Sequence, residues 1–224
     1  MSKRLAILAG LAAGGVLLAL GQKSQGVVSG DLAMLALAEA KLDLARGIKE
    51  EGGYNDGPAI EAYAQPLGLH APISWCAAAY SAWVRRASKQ LGIEPPPVGS
   101  ALAQEVMRQF MALGRFIPVE QAVDADLTPG TTVIWSRLPN PSWQGHIGII
   151  TAHTPGSDTF ETIEGNSGPQ GDRVALMVRS LSGYAGHDIL GFGKLSGSTD
   201  YATSPVTRQR YLLDDEQHPL RYIA

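Results

Sequence analysis

The sequence predicts an α+β fold in which helices come first and pack on an antiparallel β-sheet that follows. Three observations carry this expectation. As far as about Gly114, apolar side chains recur at three- and four-residue intervals, the spacing of helices with one buried face. After the turn signal Pro129-Gly130 the pattern changes to short apolar runs, each bounded by Gly, Pro, Asn or Asp. A block of helices before a block of strands, without βαβ alternation, excludes a doubly wound parallel sheet. The chain's 224 residues, 45% of them hydrophobic, are enough to bury a core without disulfide or metal staples.

The elements follow in order. Residues 1–22 begin with the basic Met1-Ser-Lys-Arg4 and continue as an uncharged stretch from Leu5 to Gly21. As a helix, that stretch would span roughly 25 Å, just short of a ~30 Å hydrocarbon core. It reads as an export signal, a membrane anchor, or an assembly helix whose Gly and Ala residues allow close backbone contact. Lys23–Gly30 reads as a polar linker, with Asp31 as N-cap of a helix from Leu32 to Arg46 closed by Gly47. After the loop Glu51-Gly-Gly-Tyr-Asn-Asp-Gly-Pro58, a short helix covers Ala59–Gln65, and Leu67–Ser74 is irregular. Cys76 opens an amphipathic helix whose inner face holds Tyr80, Trp83, Val84, Ala87 and Leu91, and Gly92 stops it. Ser100 is expected to cap the next helix, which ends at Leu113-Gly114. The strands are Thr131–Trp135, Gly145–Ala152, Thr159–Ile163, Arg173–Val178 and Asp188–Lys194. Residues 23–49 are thus a linker and helix, 50–195 the domain that carries the chemistry, and 196–224 a C-terminal tail suited to docking.

Charge and cysteine usage narrow the chemistry. The net charge is −3, and −5 once Lys3 and Arg4 are set aside with residues 1–22, so no nucleic-acid partner is expected. A single cysteine excludes intramolecular disulfides and multi-cysteine zinc or iron–sulfur frameworks. There is no His-Glu-x-x-His helix, no phosphate loop and no Asp-rich calcium loop, so neither cofactor nor metal is implied.

Cys76 stands where a loop becomes a helix, and there unpaired N–H groups and the helix dipole stabilise a thiolate. A lone cysteine is more often a small buried hydrophobe, so the case depends on a base and a group that orients it. Of the five histidines, His70 lies in an irregular loop and His218 in the tail. His146 heads the apolar strand Gly145-His-Ile-Gly-Ile-Ile150, which would hold its ring rigidly. His153, an odd number of residues further on, would face the other side of a continuous strand. His187 is the reserve candidate. Glu164 and Asn166, in Thr162-Ile-Glu-Gly-Asn-Ser167, either form an ordinary turn or receive the imidazole N–H. Of the two, Glu164 is the favoured direct partner and Asn166 its support.

Together, Trp75-Cys76-Ala77 opening a helix, Gly145-His146-Ile147-Gly148-Ile149 on a strand and Ile163-Glu164-Gly165-Asn166 on the next resemble the CHAP amidohydrolase/peptidases. That family belongs to the papain-like, NlpC-type clan of cell-wall hydrolases. The resemblance covers about residues 50–195 and rests on the order Cys, His, Glu-x-Asn. Ser74 stands where the family often has glutamine, and Thr131 where an aspartate often follows the glycine. The resemblance implies a papain-like fold and cofactor-free hydrolysis of amide bonds in bacterial peptidoglycan, with Cys76, His146, Glu164 and Asn166 as the catalytic set.

Trp143, ahead of His146, and Tyr54 and Asn55, in the glycine-rich loop, are expected to line a substrate groove. Trp75, Trp83 and Trp135 are expected in the core. The leading expectation is a thiol peptidoglycan hydrolase, exported to the cell envelope or carried on a bacteriophage tail. Residues 1–22 and 196–224 would then attach it to tail or envelope proteins, with membrane contact through residues 5–21. The competing expectations are a structural virion or envelope component and an anchored module that binds wall peptides without cutting them.

Overall fold

The computed structural model describes residues 25–137 and 142–195, with side chains from Leu32 onward. The expectations for residues 1–22 and 196–224 lie outside these residues. The fold is α+β. Four helices, α1 (Gln25–Ala45), α2 (Pro58–Ala64), α3 (Cys76–Leu91) and α4 (Ala103–Ala112), pack with a sheet of six strands. The strands are β1 (Phe116–Pro118), β2 (Thr132–Arg137), β3 (Gly145–His153), β4 (Thr159–Ser167), β5 (Arg173–Ser180) and β6 (His187–Gly193). Every pairing is antiparallel, in the order β1-β6-β2-β3-β4-β5.

The sheet is apolar on both faces. Towards the helices, Ile134, Ile147, Ile149, Ile163 and Val174 join one core with Leu37, Tyr80, Trp83, Val106 and Phe110. On the other face, Val133, Trp135, Ile150, Phe160 and Phe192 form a second cluster beneath Val119, Leu181 and Tyr184. Helix α3 starts at Cys76 and ends at Leu91, with Gly92 in the left-handed region, as its sequence pattern predicts. Trp75, Trp83 and Trp135 are all fully buried.

Several local expectations are corrected. Helix α1 already runs from Gln25, so Asp31 lies inside it and not at its cap, and residues from Gln25 onward are not a linker. Gly26 and Gly30 cost a helix only about 1 kcal/mol each, too little to stop one carried onward from Leu32–Ala45. The N-cap of α4 is Leu102, and the Ser100 hydroxyl instead accepts the Leu102 N–H at 3.1 Å. Strand β1 is too short to leave a sequence signature.

Residue 50 is not where the folded unit begins. Leu32, Ala36, Leu37 and Ala40 are buried in the main core. Asp43, 1% exposed, accepts the Tyr63 hydroxyl at 2.7 Å and the Trp83 indole N–H at 2.8 Å, and also pairs with Arg86. These bonds bind α1 to α2 and α3.

Candidate active site

Cys76 is the first residue of α3, held in place by the residue before it. The Trp75 ring is buried, stacks on Tyr63 at 5.9 Å, and donates its indole N–H to Glu50 Oε1 at 3.0 Å. Gly165 makes this possible, because a Cβ there would lie 2.9 Å from the Trp75 ring and 2.8 Å from Ala79 Cβ. The fully buried Ala77, Ala78 and Ala79 belong to the core that the helices share with the sheet. The backbone of Cys76 therefore rests on packed elements and not on a free loop.

His146 is the second residue of β3 and is 8% exposed. Its Nε2 donates to Glu164 Oε2 at 2.8 Å, which leaves Nδ1 for the thiol. Glu164 comes from β4, on the same sheet face as Trp135 and Phe160, and is fully buried. Gly148 makes room for it, since a Cβ at that position would stand 2.7 Å from Glu164 Cγ. Besides His146, the carboxylate accepts Thr162 Oγ1 at 2.6 Å, Ser167 Oγ at 2.9 Å and both arms of the Arg179 fork, at 2.7 and 2.5 Å. Five bonds leave it no freedom to turn.

The electrostatics follow from this packing. Burial alone would lower the His146 pKa, but the Glu164 charge and the interaction with Cys76 override it and raise the ring from 6.5 to about 10. Burial would likewise raise Glu164, yet the Arg179 bonds and the His146 charge hold its carboxyl far below the usual carboxylate range. The arrangement favours an imidazolium between the Glu164 carboxylate and the Cys76 sulfur. It is equipped to attack an electrophilic carbon and then protonate a leaving group.

Asn166 is placed otherwise than expected. In the left-handed region at φ 53°, it donates to Asn55 Oδ1 at 2.6 Å and to Glu50 Oε1 at 3.4 Å, so its amide is engaged by the loop and not by His146. Asn55 is 8% exposed and donates its backbone N–H to Glu50 Oε2 at 2.7 Å, so it braces the loop and does not line a groove. Glu50 thus joins the loop, Trp75 and the end of β4. Tyr54 and Trp143 are 82% and 50% exposed, and neither lines the cavity over Cys76. That cavity is bounded by Ser74, Cys76, Arg137, His146, Asn166, Arg179, Tyr184 and His187, among others.

The other histidines are accounted for. His187 stacks on Tyr184 at 4.3 Å and meets the His146 ring edge-on at 6.1 Å, while the carboxylate goes to His146. His153 does not face away from His146. A register shift between Ile150 and Ala152 adds a residue, and His153, opposite Phe160, returns to His146's face. There its Nε2 lies 3.2 Å from Ser157 O, far along the strand from the site. His70 pairs with Glu61 at the surface, and His218 lies outside the described residues.

Sequence reasoning missed Glu50, Arg179 and Tyr184. Arg179 opposes Phe160 across β4 and β5, and its guanidinium stacks over the Tyr184 ring at 3.8 Å. An arginine among apolar strand residues was the available signal, but its partner depends on a register that local pattern does not supply. Among the described residues, no three His, Cys, Asp or Glu side chains are grouped to hold a metal ion, and no helix is long and apolar enough to cross a membrane. No protein-family model matches the chain, and no curated protein or solved structure shows significant similarity to it.

Proposed function

We propose that the protein is a thiol-dependent amidohydrolase or peptidase of the papain-like, CHAP type that cuts amide bonds in bacterial peptidoglycan. The observation that carries this reading is a cysteine at a helix start sharing a cavity with a histidine whose far nitrogen is held by a buried, arginine-clamped carboxylate. The peptidoglycan substrate rests on the ordered Cys76, His146, Glu164 motifs. Export, or a place on a phage tail, rests on the uncharged stretch 5–21.

The steps follow from the residues. The Cys76 thiolate adds to the scissile carbonyl carbon, and the oxygen takes up the negative charge. The N–H of Cys76, which has no acceptor within its own helix, is one donor to that oxygen. His146 gives its proton to the leaving amine as the C–N bond breaks, leaving a thioester on Cys76. Neutral His146 then takes a proton from water, whose oxygen attacks the thioester. The acid product leaves and the thiolate–imidazolium pair returns. Glu164 keeps the ring oriented throughout and stays ionised.

The test is lysis of purified cell walls by the full chain, with the released fragments identified by mass spectrometry. Cys76→Ala should abolish release while the circular-dichroism spectrum is retained, and iodoacetamide should inactivate the wild type. Equal lysis by wild type and variant would remove the thiol mechanism. Walls left intact by both would favour a binding or structural role.

A further inference from the structure

The cavity over Cys76 carries an unbalanced charge. Its lining includes Arg137, Arg179, His146 and His187 and holds no aspartate or glutamate. Most of this positive charge is already matched. Arg179 is clamped on Glu164, which lies beneath the lining, and His146 is shared between Glu164 and Cys76. His187 is kept neutral at neutral pH, because burial and the nearby cations lower its pKa.

Arg137 remains. It ends β2 directly opposite His187, its side chain is exposed, and among the described residues no salt bridge engages it. The chain that follows, Leu138 to Gln144, contains no acidic residue to neutralise it. An unmatched guanidinium at the rim of a reactive cavity attracts and orients anions, and its planar fork suits a carboxylate.

We propose that Arg137 binds a carboxylate of the substrate, so that the site prefers amide bonds flanked by a free acid to the same bonds flanked by a primary amide. This rests on the amidohydrolase reading and names its substrate class. Stem peptides with a free α-carboxylate next to the scissile bond fit; their amidated counterparts do not.

The test uses two synthetic stem-type peptides, identical except that this carboxyl is free in one and a primary amide in the other. Binding to the full chain carrying Cys76→Ala is measured by calorimetry, with and without Arg137→Gln. The free-acid peptide should bind about two- to fivefold more tightly, the scale of an exposed charge pair, and added salt should shrink the ratio. Arg137→Gln should bring the ratio to about one. A ratio near one before the substitution, a ratio that survives it, or no binding of either peptide overturns the assignment. Turnover by the wild-type chain is followed in parallel. If the acid preference holds and depends on Arg137 while neither peptide is cut, the carboxylate site stands and the hydrolase reading falls.

Discussion

Asp43 and Glu164 are two buried carboxylates built from nearly the same parts. Each is essentially without exposure, each is paired with an arginine, and each accepts further bonds from hydroxyl or indole donors. They differ in one partner. Asp43 faces Tyr63, Trp83, Arg46 and Arg86, and burial next to the carboxylate pushes the Tyr63 hydroxyl far above its ordinary range. None of these donors changes charge near neutral pH, so the cluster is a fixed cross-link between helices. Glu164 has His146 in addition, and the opposite edge of that ring faces the cavity. One histidine gives the same kind of cross-link a partner that can carry a proton at the edge of a cavity.

Substitutions sharpen this contrast. The largest effect on turnover, after loss of the nucleophile, is expected for Glu164→Gln, with kcat/KM falling about a thousandfold. The pH dependence gives its sign. Glu164 and Cys76 together raise His146 from 6.5 to about 10, so the alkaline limb of activity should lie near pH 10 in the wild type and move to lower pH in the variant. Stability follows the same shift. The His146 contribution is fully present below pH 6.5 and lost as pH rises through about 10, and urea titrations at the two ends should show a larger loss in the wild type than in the variant.

Asp43→Ala should act on the fold instead. Stripping Tyr63, Trp83 and Arg86 of their acceptor should cost about 3–5 kcal/mol by chemical denaturation. Activity per folded molecule should persist. If Asp43→Ala instead shifted the pH profile as Glu164→Gln does, the distinction between the two clusters would fail. The smallest effects separate the two arginines. Arg179→Lys keeps the charge and loses the fork, so turnover should fall about tenfold. Arg86→Lys, at a side chain 35% exposed, should cost about 1 kcal/mol or less.

The sequence was most legible where the signal was local. Helix α3, with Cys76 at its start and Gly92 at its end, follows from spacing and a stop residue, and the five longer strands follow from apolar runs between turn formers. Cys76 and His146 stood out because each sits at the start of such an element, and Glu164 because it directly follows the apolar run of its strand. What escaped depends on distant parts of the chain. Arg179 meets Glu164 through the pairing of β4 with β5, and Glu50 meets Trp75 through the packing of a loop on α3. Asn166 is expected to support Glu164, and a left-handed residue at a bulge in β4 sends its amide to Asn55 instead. His153 was misplaced because a bulge changed the count along β3, which no alternation rule foresees.

The brace from Glu50 to Asn166 joins residues 116 positions apart, while the clamp on Glu164 waits for Arg179. A chain emerging from the ribosome therefore carries Cys76 for 88 residues before Glu164 follows it and for 103 before Arg179 does. Until β5 has left the exit tunnel and paired with β4, the thiol belongs to a helix with no working partner. On the proposed mechanism, the thiol's reactivity is timed by synthesis, because the charged cluster around His146 closes only when the last third of the domain arrives.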